Sequence, residues 1–269
     1  MITIKNLSKK YGKKKVLEGL SFDFSKGAYG ILGTNGAGKT TLIRCIAGMH
    51  GYTGEISIDK EKNIGYLPQQ SGIFPNLSIY ENLYFYAELK HIAKDKRNDE
   101  IEKVINLVNL DDNTQTKGKK LSGGMKRRVG IAAALLGQPE ILLFDEPTVG
   151  LDPEERLRFK QIIRVLKKET TILMSTHIVE DVEATADNII IIDRGIIKAS
   201  GSTDDIKSIA KGKVFEIDPD EVSRDDYVIR EEDRGDRIVS RIITRNPRES
   251  VFSVEATVED GYICSIKEI

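Results

Sequence analysis

Residues 33 to 40 read GTNGAGKT, which sets three glycines, a lysine and a hydroxyl in the spacing GxxxxGK[ST]. Gly33, Gly36 and Gly38 let a backbone curl until successive N–H groups point inward at phosphate oxygens. A helix starting directly afterwards would add the attraction of its positive end. Lys39 would then reach the β and γ phosphates of a nucleotide. The Thr40 hydroxyl would ligate Mg²⁺, and Thr41 would touch the α phosphate. Thr34, Asn35 and Ala37 complete the loop.

Three further sites carry matching chemistry. ILLFDE, at 141 to 146, ends an apolar run on two carboxylates. Asp145 is placed to hold the Mg²⁺ through its waters, and Glu146 to orient or deprotonate an attacking water. His177, in STHIVED, follows another apolar run, at the edge where α/β sheets bind ligands, so a γ-phosphate contact is expected. The stretch LSGGM holds Leu121, Ser122, Gly123, Gly124 and Met125. It is a second glycine pair at a helix start. One nucleotide does not need two such cradles from one chain. Locally, LSGGM reads as a serine N-cap with glycines permitting a tight entry.

Elements must position these groups. SFDF alternates as a strand does, and AYGIL runs straight into the first loop. A helix is expected from Lys39 to about Met49, and strands at GEISI and NIGYL. Ser78 and Glu81 form a capping box for a helix over 78 to 90. Ile101, Val104, Ile105 and Val108 make one helical stripe over 98 to 108. LSGGM opens a helix to about Leu136. ILLFD and TTILMST read as strands buried on both faces, and NIIIID-RG-IIKASG as two strands about a turn at Gly195. Asp152 and Pro153 make a cap followed by a first helical position. Strands alternating with helices predict a parallel sheet with helices packed around it. After about residue 212 the pattern changes. KVFEI, YVIRE, RIVSRIIT and SVFSVEA predict a small, mostly β appendage with one short helix near its end. The carboxylates of EEDRGD are expected to form a solvated turn rather than a metal site.

The 269 residues suffice for one good-sized domain and a small appendage. A net charge of −1 gives no bulk attraction to nucleic acid, and no nucleic-acid partner is expected. The cluster KKYGKKK reads as a solvated basic patch, with contact to an acidic lipid surface or partner as the alternative. Cys45 and Cys264 make no CxxC, so neither a zinc site nor a disulfide framework is indicated. The N-terminus lacks the apolar core of a signal peptide, and no apolar run reaches membrane-spanning length. A cytoplasmic protein is expected, attached to a membrane only through a partner.

Assembled in this order, the motifs resemble those of the nucleotide-binding subunits of ABC transporters, over about residues 1 to 210. The combination with LSGG between the two nucleotide motifs is highly specific. The resemblance implies an α/β P-loop ATPase cassette over 1–211. It has a mostly parallel core sheet, an N-terminal antiparallel β part and a helical signature subdomain at about 75–137. A C-terminal accessory domain follows over 212–269. GTNGAGKT is then the Walker A loop, and ILLFDE the Walker B strand with its catalytic glutamate. Tyr11 matches the aromatic that stacks on adenine. Gln69 of YLPQQ matches the glutamine that senses Mg²⁺ and the attacking water and contacts membrane subunits. Asp152, in GLD, matches the D-loop, and His177 the switch histidine. LSGGM stands where the family has LSGGQ. Met125 offers no amide there, while the serine and glycine contacts are expected to survive.

The family also implies why there are two cradles. Its subunits pair head to tail, so LSGGM would close over ATP held by a partner's Walker A, and a homodimer is expected. ATP and Mg²⁺ are the implied ligands. Membrane-spanning subunits on separate chains are the implied partners, met through the surface near Gln69 and residues 70 to 90. The subunit is expected at the cytoplasmic face of the cell membrane. A single Walker A and the lack of a long coiled-coil insertion disfavour the translation and DNA-repair branches. An iron–sulfur assembly helper and an importer subunit remain alternatives. The stretch LPQQSGIFPNLSIYENLYFYAELK resembles exporters of drugs, peptide antibiotics and lipids.

Overall fold

The computed structural model describes residues 1–59, 62–70, 72–246 and 253–269. The chain opens with β1 (Ile2–Tyr11), β2 (Lys14–Phe24), β3 (Gly27–Leu32), α1 (Lys39–Ile46), β4 (Thr53–Ile58) and β5 (Ile64–Leu67). Three helices follow, α2 (Ile79–Leu89), α3 (Arg97–Leu107) and α4 (Gly123–Leu135). Next come β6 (Ile141–Asp145), α5 (Pro153–Leu166), β7 (Thr171–Thr176), α6 (Val179–Thr185), β8 (Asn188–Asp193), β9 (Ile196–Gly201) and α7 (Thr203–Ile209). The last elements are β10 (Val214–Ile217), β11 (Tyr227–Asp233), β12 (Ile238–Ile243) and α8 (Val258–Lys267).

A six-stranded sheet of order β5-β6-β7-β3-β8-β9 forms the centre. Its first five strands are parallel, and β9 returns antiparallel from β8. An antiparallel sheet of order β2-β1-β4 lies apart from it. The side chains of β6 sort by the two-residue period of a strand. Ile141 and Leu143 enter a core with Ile2, Leu17, Phe24 and Ile43, beneath the antiparallel sheet and α1. Leu142 and Phe144 enter a second core with Ile79, Leu83, Ile101 and Val129, from the three packed helices α2 to α4. A strand covered on both faces has no polar side, which is why ILLFD is an unbroken apolar run.

The Ser78–Glu81 capping box is present at α2, and Asp152 caps α5 ahead of Pro153. Two boundaries differ from the sequence expectation. α1 stops at Ile46 rather than near Met49, because Gly48 at φ 71° turns the chain away. Of SVFSVEA, residues 253–256 form no strand, and 250–252 lie outside the described residues, as does Ser71.

The C-terminal segment contains three of the four expected strands, paired in the order β10-β12-β11. Its last helix turns back. Val258 of α8 shares a core with Leu32, Val182, Ile189, Ile191 and Ile206. The other face of β8, through Ile190 and Ile192, belongs to the core under the antiparallel sheet. One strand therefore binds both ends of the chain to the same centre. Cys45 and Cys264 are both buried and unpaired. Among the described residues no helix is long and apolar enough to cross a membrane.

Candidate active site

The neighbours β6, β7 and β3 deliver three groups to one sheet edge, where ligands of open α/β sheets bind. β3 ends at Leu32 and runs into the glycine loop, β6 ends on Asp145, and β7 ends just before His177. Two loop glycines are forced by space and conformation. A Cβ on Gly33 would lie 2.3 Å from the Ile192 carbonyl oxygen. Gly38 caps α1 at φ 111°, and its Cβ would lie 2.7 Å from Leu17 Cδ2. The loop is tied from outside by the Gly195 N–H, which donates to the Ala37 carbonyl at 2.9 Å.

Lys39 Nζ donates to the carbonyls of Gly33 (2.8 Å) and Thr34 (3.1 Å) and lies 3.5 Å from Glu146 Oε1. Burial pushes its pKa below the ordinary lysine value, with Glu146 and Asp145 opposing that shift. His177 Nδ1 is 3.1 Å from the other Glu146 oxygen. Glu146 is thus held between a cation and a histidine. It also adopts φ 51°, in the left-handed region that a non-glycine residue enters at a cost. Its N–H donates to both the carbonyl and the hydroxyl of Ser175 at 3.1 Å.

Asp145 is fully buried. Its Oδ1 accepts from the hydroxyls of Thr40 and Ser175, both at 2.7 Å. Its Oδ2 is buried with no protein partner. A hydroxyl beside an unsatisfied carboxylate oxygen suits Mg²⁺, a hard cation that takes few protein ligands and shares phosphates and water. Among the described residues no group of three His, Cys, Asp or Glu could hold a metal by itself.

The cleft above these groups has a volume of about 300 Å³. Tyr11, Gly36, Lys39, Thr40, Gln69 and Glu146 are among its lining residues. Gln69, not Gln70, faces it. Tyr11 is 45% exposed, with Lys9 Nζ 5.0 Å from the centre of its ring and His50 edge-on to it. Lys14 and Val16 also line the cleft, although the sequence places Lys14 within an apparently solvated basic run.

LSGGM and Asp152 stand outside this cleft. Ser122 caps α4, its hydroxyl accepting from the Met125 N–H at 3.1 Å. The serine O–H and the exposed Gly123 stay available at the helix start, while Met125 packs against the helical core. Asp152 accepts from the Glu155 N–H at 2.8 Å. Both motifs thus do their local capping work and still face outward.

Two residues of the site carry no sequence signal. Arg127 is only 5% exposed and spans from α4 to the loops of Gln69 and Glu146. Asp181 accepts from the Thr148 hydroxyl and so fixes the chain between Glu146 and Asp152 to α6. Both bonds join distant segments, so no periodicity or motif spacing announces them.

The profile of the ABC transporter family matches residues 17–149. The linearmycin resistance ATP-binding protein LnrL of Bacillus subtilis (strain 168) is 36% identical over 221 residues, 77% of this chain and 71% of that protein. The Nod factor export ATP-binding protein I of Burkholderia orbicola (strain AU 1054) is 35% identical over 214 residues, 75% of this chain and 70% of that one. The dimeric structure of MJ0796, a bacterial ABC transporter cassette, is similar at TM-score 0.69 and 26% identity, over 75% of this chain and 98% of that cassette. The same cassette in a dimeric post-hydrolysis state with ADP and Pi matches at TM-score 0.69 and 25% identity, over the same shares of the two chains. With the phosphate loop, the Asp145–Thr40 pair and the Glu146–His177 contact at one sheet edge, this chain belongs to the ABC transporter family and is its ATP-binding ATPase subunit.

Proposed function

We propose that the chain powers an exporter, working as a head-to-tail pair of ATPase subunits bound to membrane-spanning subunits on separate chains. One observation carries this reading. The nucleotide cleft and the LSGGM helix start are both built for phosphate, yet they do not share a cavity within the chain. Ser122 and Gly123 are exposed, so a second subunit's nucleotide is the natural acceptor for them. The dimeric relative supports the pairing, and a homodimer satisfies it.

Each chain residue then has a task. The glycine-loop amides and Lys39 bind the ATP phosphates, with Thr41 on the α phosphate and Tyr11 under the base. Thr40, Gln69 and, through water, Asp145 would hold Mg²⁺, whose charge would offset that of the phosphates. Glu146 orients or deprotonates the attacking water, and His177 holds Glu146 and meets the γ phosphate. ATP between two subunits is bound by donors from both, so closure draws on both sets. Hydrolysis divides that charge and lets the pair reopen.

Beside Gln69 lies a groove of about 520 Å³ lined by Met49, Tyr66, Pro68, Ile73, Tyr86 and Lys90, among others. Exposed Phe74, Phe85 and Leu89 flank this side. Apolar surface of that kind suits a membrane subunit's cytoplasmic helix, which supports a position at the cytoplasmic face of the membrane. The linearmycin resistance and Nod factor export relatives support export. Residues 212–269 are read as an accessory unit that stabilises or regulates the pair.

The test is gentle solubilisation of native membranes containing the tagged chain, followed by identification of what co-purifies. A multi-span membrane protein is expected, and its sequence separates export from import. Recovery only with ribosomes, DNA or cluster-assembly proteins would overturn the transporter role.

A further inference from the structure

We propose that Arg127 is a positioning residue that fastens Glu146 and the Gln69 loop to the LSGGM helix, so that the hydrolytic carboxylate and the helix facing a partner's ATP move as one body. This rests on the roles given above to Glu146, Gln69 and LSGGM.

The guanidinium has five N–H donors, and five backbone carbonyls receive them. Nε donates to Pro147 (2.9 Å), one terminal nitrogen to Pro68 (2.7 Å) and Gln69 (3.1 Å), and the other to Asp145 (2.7 Å) and Glu146 (2.6 Å). Three segments distant in sequence meet on one side chain. They are α4, the loop after β5, and the loop after β6. Burial pushes its pKa down to about 10, against the pull of Asp145, Glu146 and Tyr66, so it remains charged at neutral pH.

The position of Glu146 explains why such a clamp is needed. A residue at φ 51° relaxes unless its surroundings over-determine it. Ser175 holds its N–H and Arg127 holds its carbonyl, as well as the carbonyls on either side. Arg127 touches no reacting atom. It acts through the two carbonyl loops whose side chains line the cleft.

Lysine keeps the charge but has three donors on a tetrahedral centre, and cannot span five carbonyls. Glutamine keeps some donors and loses the charge. Arg127→Gln and Arg127→Lys in the full chain should therefore behave alike. Hydrogen exchange read by mass spectrometry should accelerate at least about tenfold across residues 64–70 and 141–151, with residues 39–46 unchanged. ATP turnover should fall at least about tenfold in kcat with KM within about threefold, since a small misplacement of a reacting group costs rate more than binding. Native exchange in both segments, or recovery of kcat by Arg127→Lys, would overturn the clamp. The exchange readout needs no turnover, so it decides the clamp even if Glu146→Gln shows that the role given to Glu146 is wrong. If Arg127→Gln does not fold, the unsubstituted chain still decides. Under mild denaturant the two segments should open in one step with residues 123–135, and separate openings would refute the coupling.

Discussion

Glu146 combines a strained backbone, a lysine at 3.5 Å and a histidine at 3.1 Å, and the three belong to one arrangement. Glu146→Gln keeps the shape but removes the charge between Lys39 and His177. Nucleotide binding is expected to persist while turnover falls at least about 10²-fold. Binding titrations and single-turnover rates check this, and native turnover would remove Glu146 from its role. Gly124 is constrained differently. A Cβ there would lie 1.7 Å from the Glu155 carboxylate, which also sits 3.7 Å from Arg128. Gly124→Ala should displace Glu155 and cost about 1 kcal/mol, and Glu155→Ala should recover most of it. A thermal-unfolding cycle with additive costs would contradict that contact. At this scale the sequence was informative where one segment carries the chemistry. The glycine loop, Asp145, Glu146 and His177 could be read from type and spacing. Arg127 could not, because within MKRR a helix arginine reads as solvent-facing and its five partners lie far along the chain.

Among the elements, the strands of the central sheet were the most legible, since burial on both faces leaves an apolar run that nothing else explains. Helix starts were legible through their caps at Ser78 and Asp152. The end of α1 was not, because Gly48 stops it before the apolar pattern fades. The attachment of α8 to the rest was also hidden. Arg241 of β12 donates to both oxygens of Asp260, at 3.2 and 2.6 Å, and Asp260 completes the capping box with Thr257. Burial raises the Asp260 pKa, but the bonds from Arg241 and Thr257 outweigh it and hold it below the ordinary carboxylate value. A lowered folded pKa means the contribution is full above the unfolded value and is lost as pH falls through the folded one. Asp260→Asn should therefore cost about 3 kcal/mol near pH 7, as for a broken buried pair, and the gap should narrow in strong acid. Denaturant titrations at several pH values check it. An undiminished gap in acid would mean that the charge is not the cause.

Among the described residues, the start of α4 proposed to meet a partner's phosphate lies outside the lining of the nucleotide cleft. Ser122→Arg places a long cation where a second subunit's nucleotide would sit. ATP binding to the single chain should be unchanged, while ATP-dependent pairing in a Glu146→Gln background should be lost, as read by light scattering. Normal pairing in that variant would refute the composite site. The sequence conveyed this division of labour only through the family resemblance, because a capped helix start looks the same with or without a partner.

The return of α8 to β8 also bears on how the protein is made. Ile189 and Ile191 share their core with Leu32, Val182 and Ile206, and Val258 completes that cover only once synthesis has reached it. The cassette therefore emerges from the ribosome with part of the cover over β8 still missing, however early the nucleotide loop forms. A premature stop between α7 and α8 would spare every residue of the cleft and still release a chain that lacks the Val258 part of that cover. Quality control, rather than chemistry, would then decide its fate.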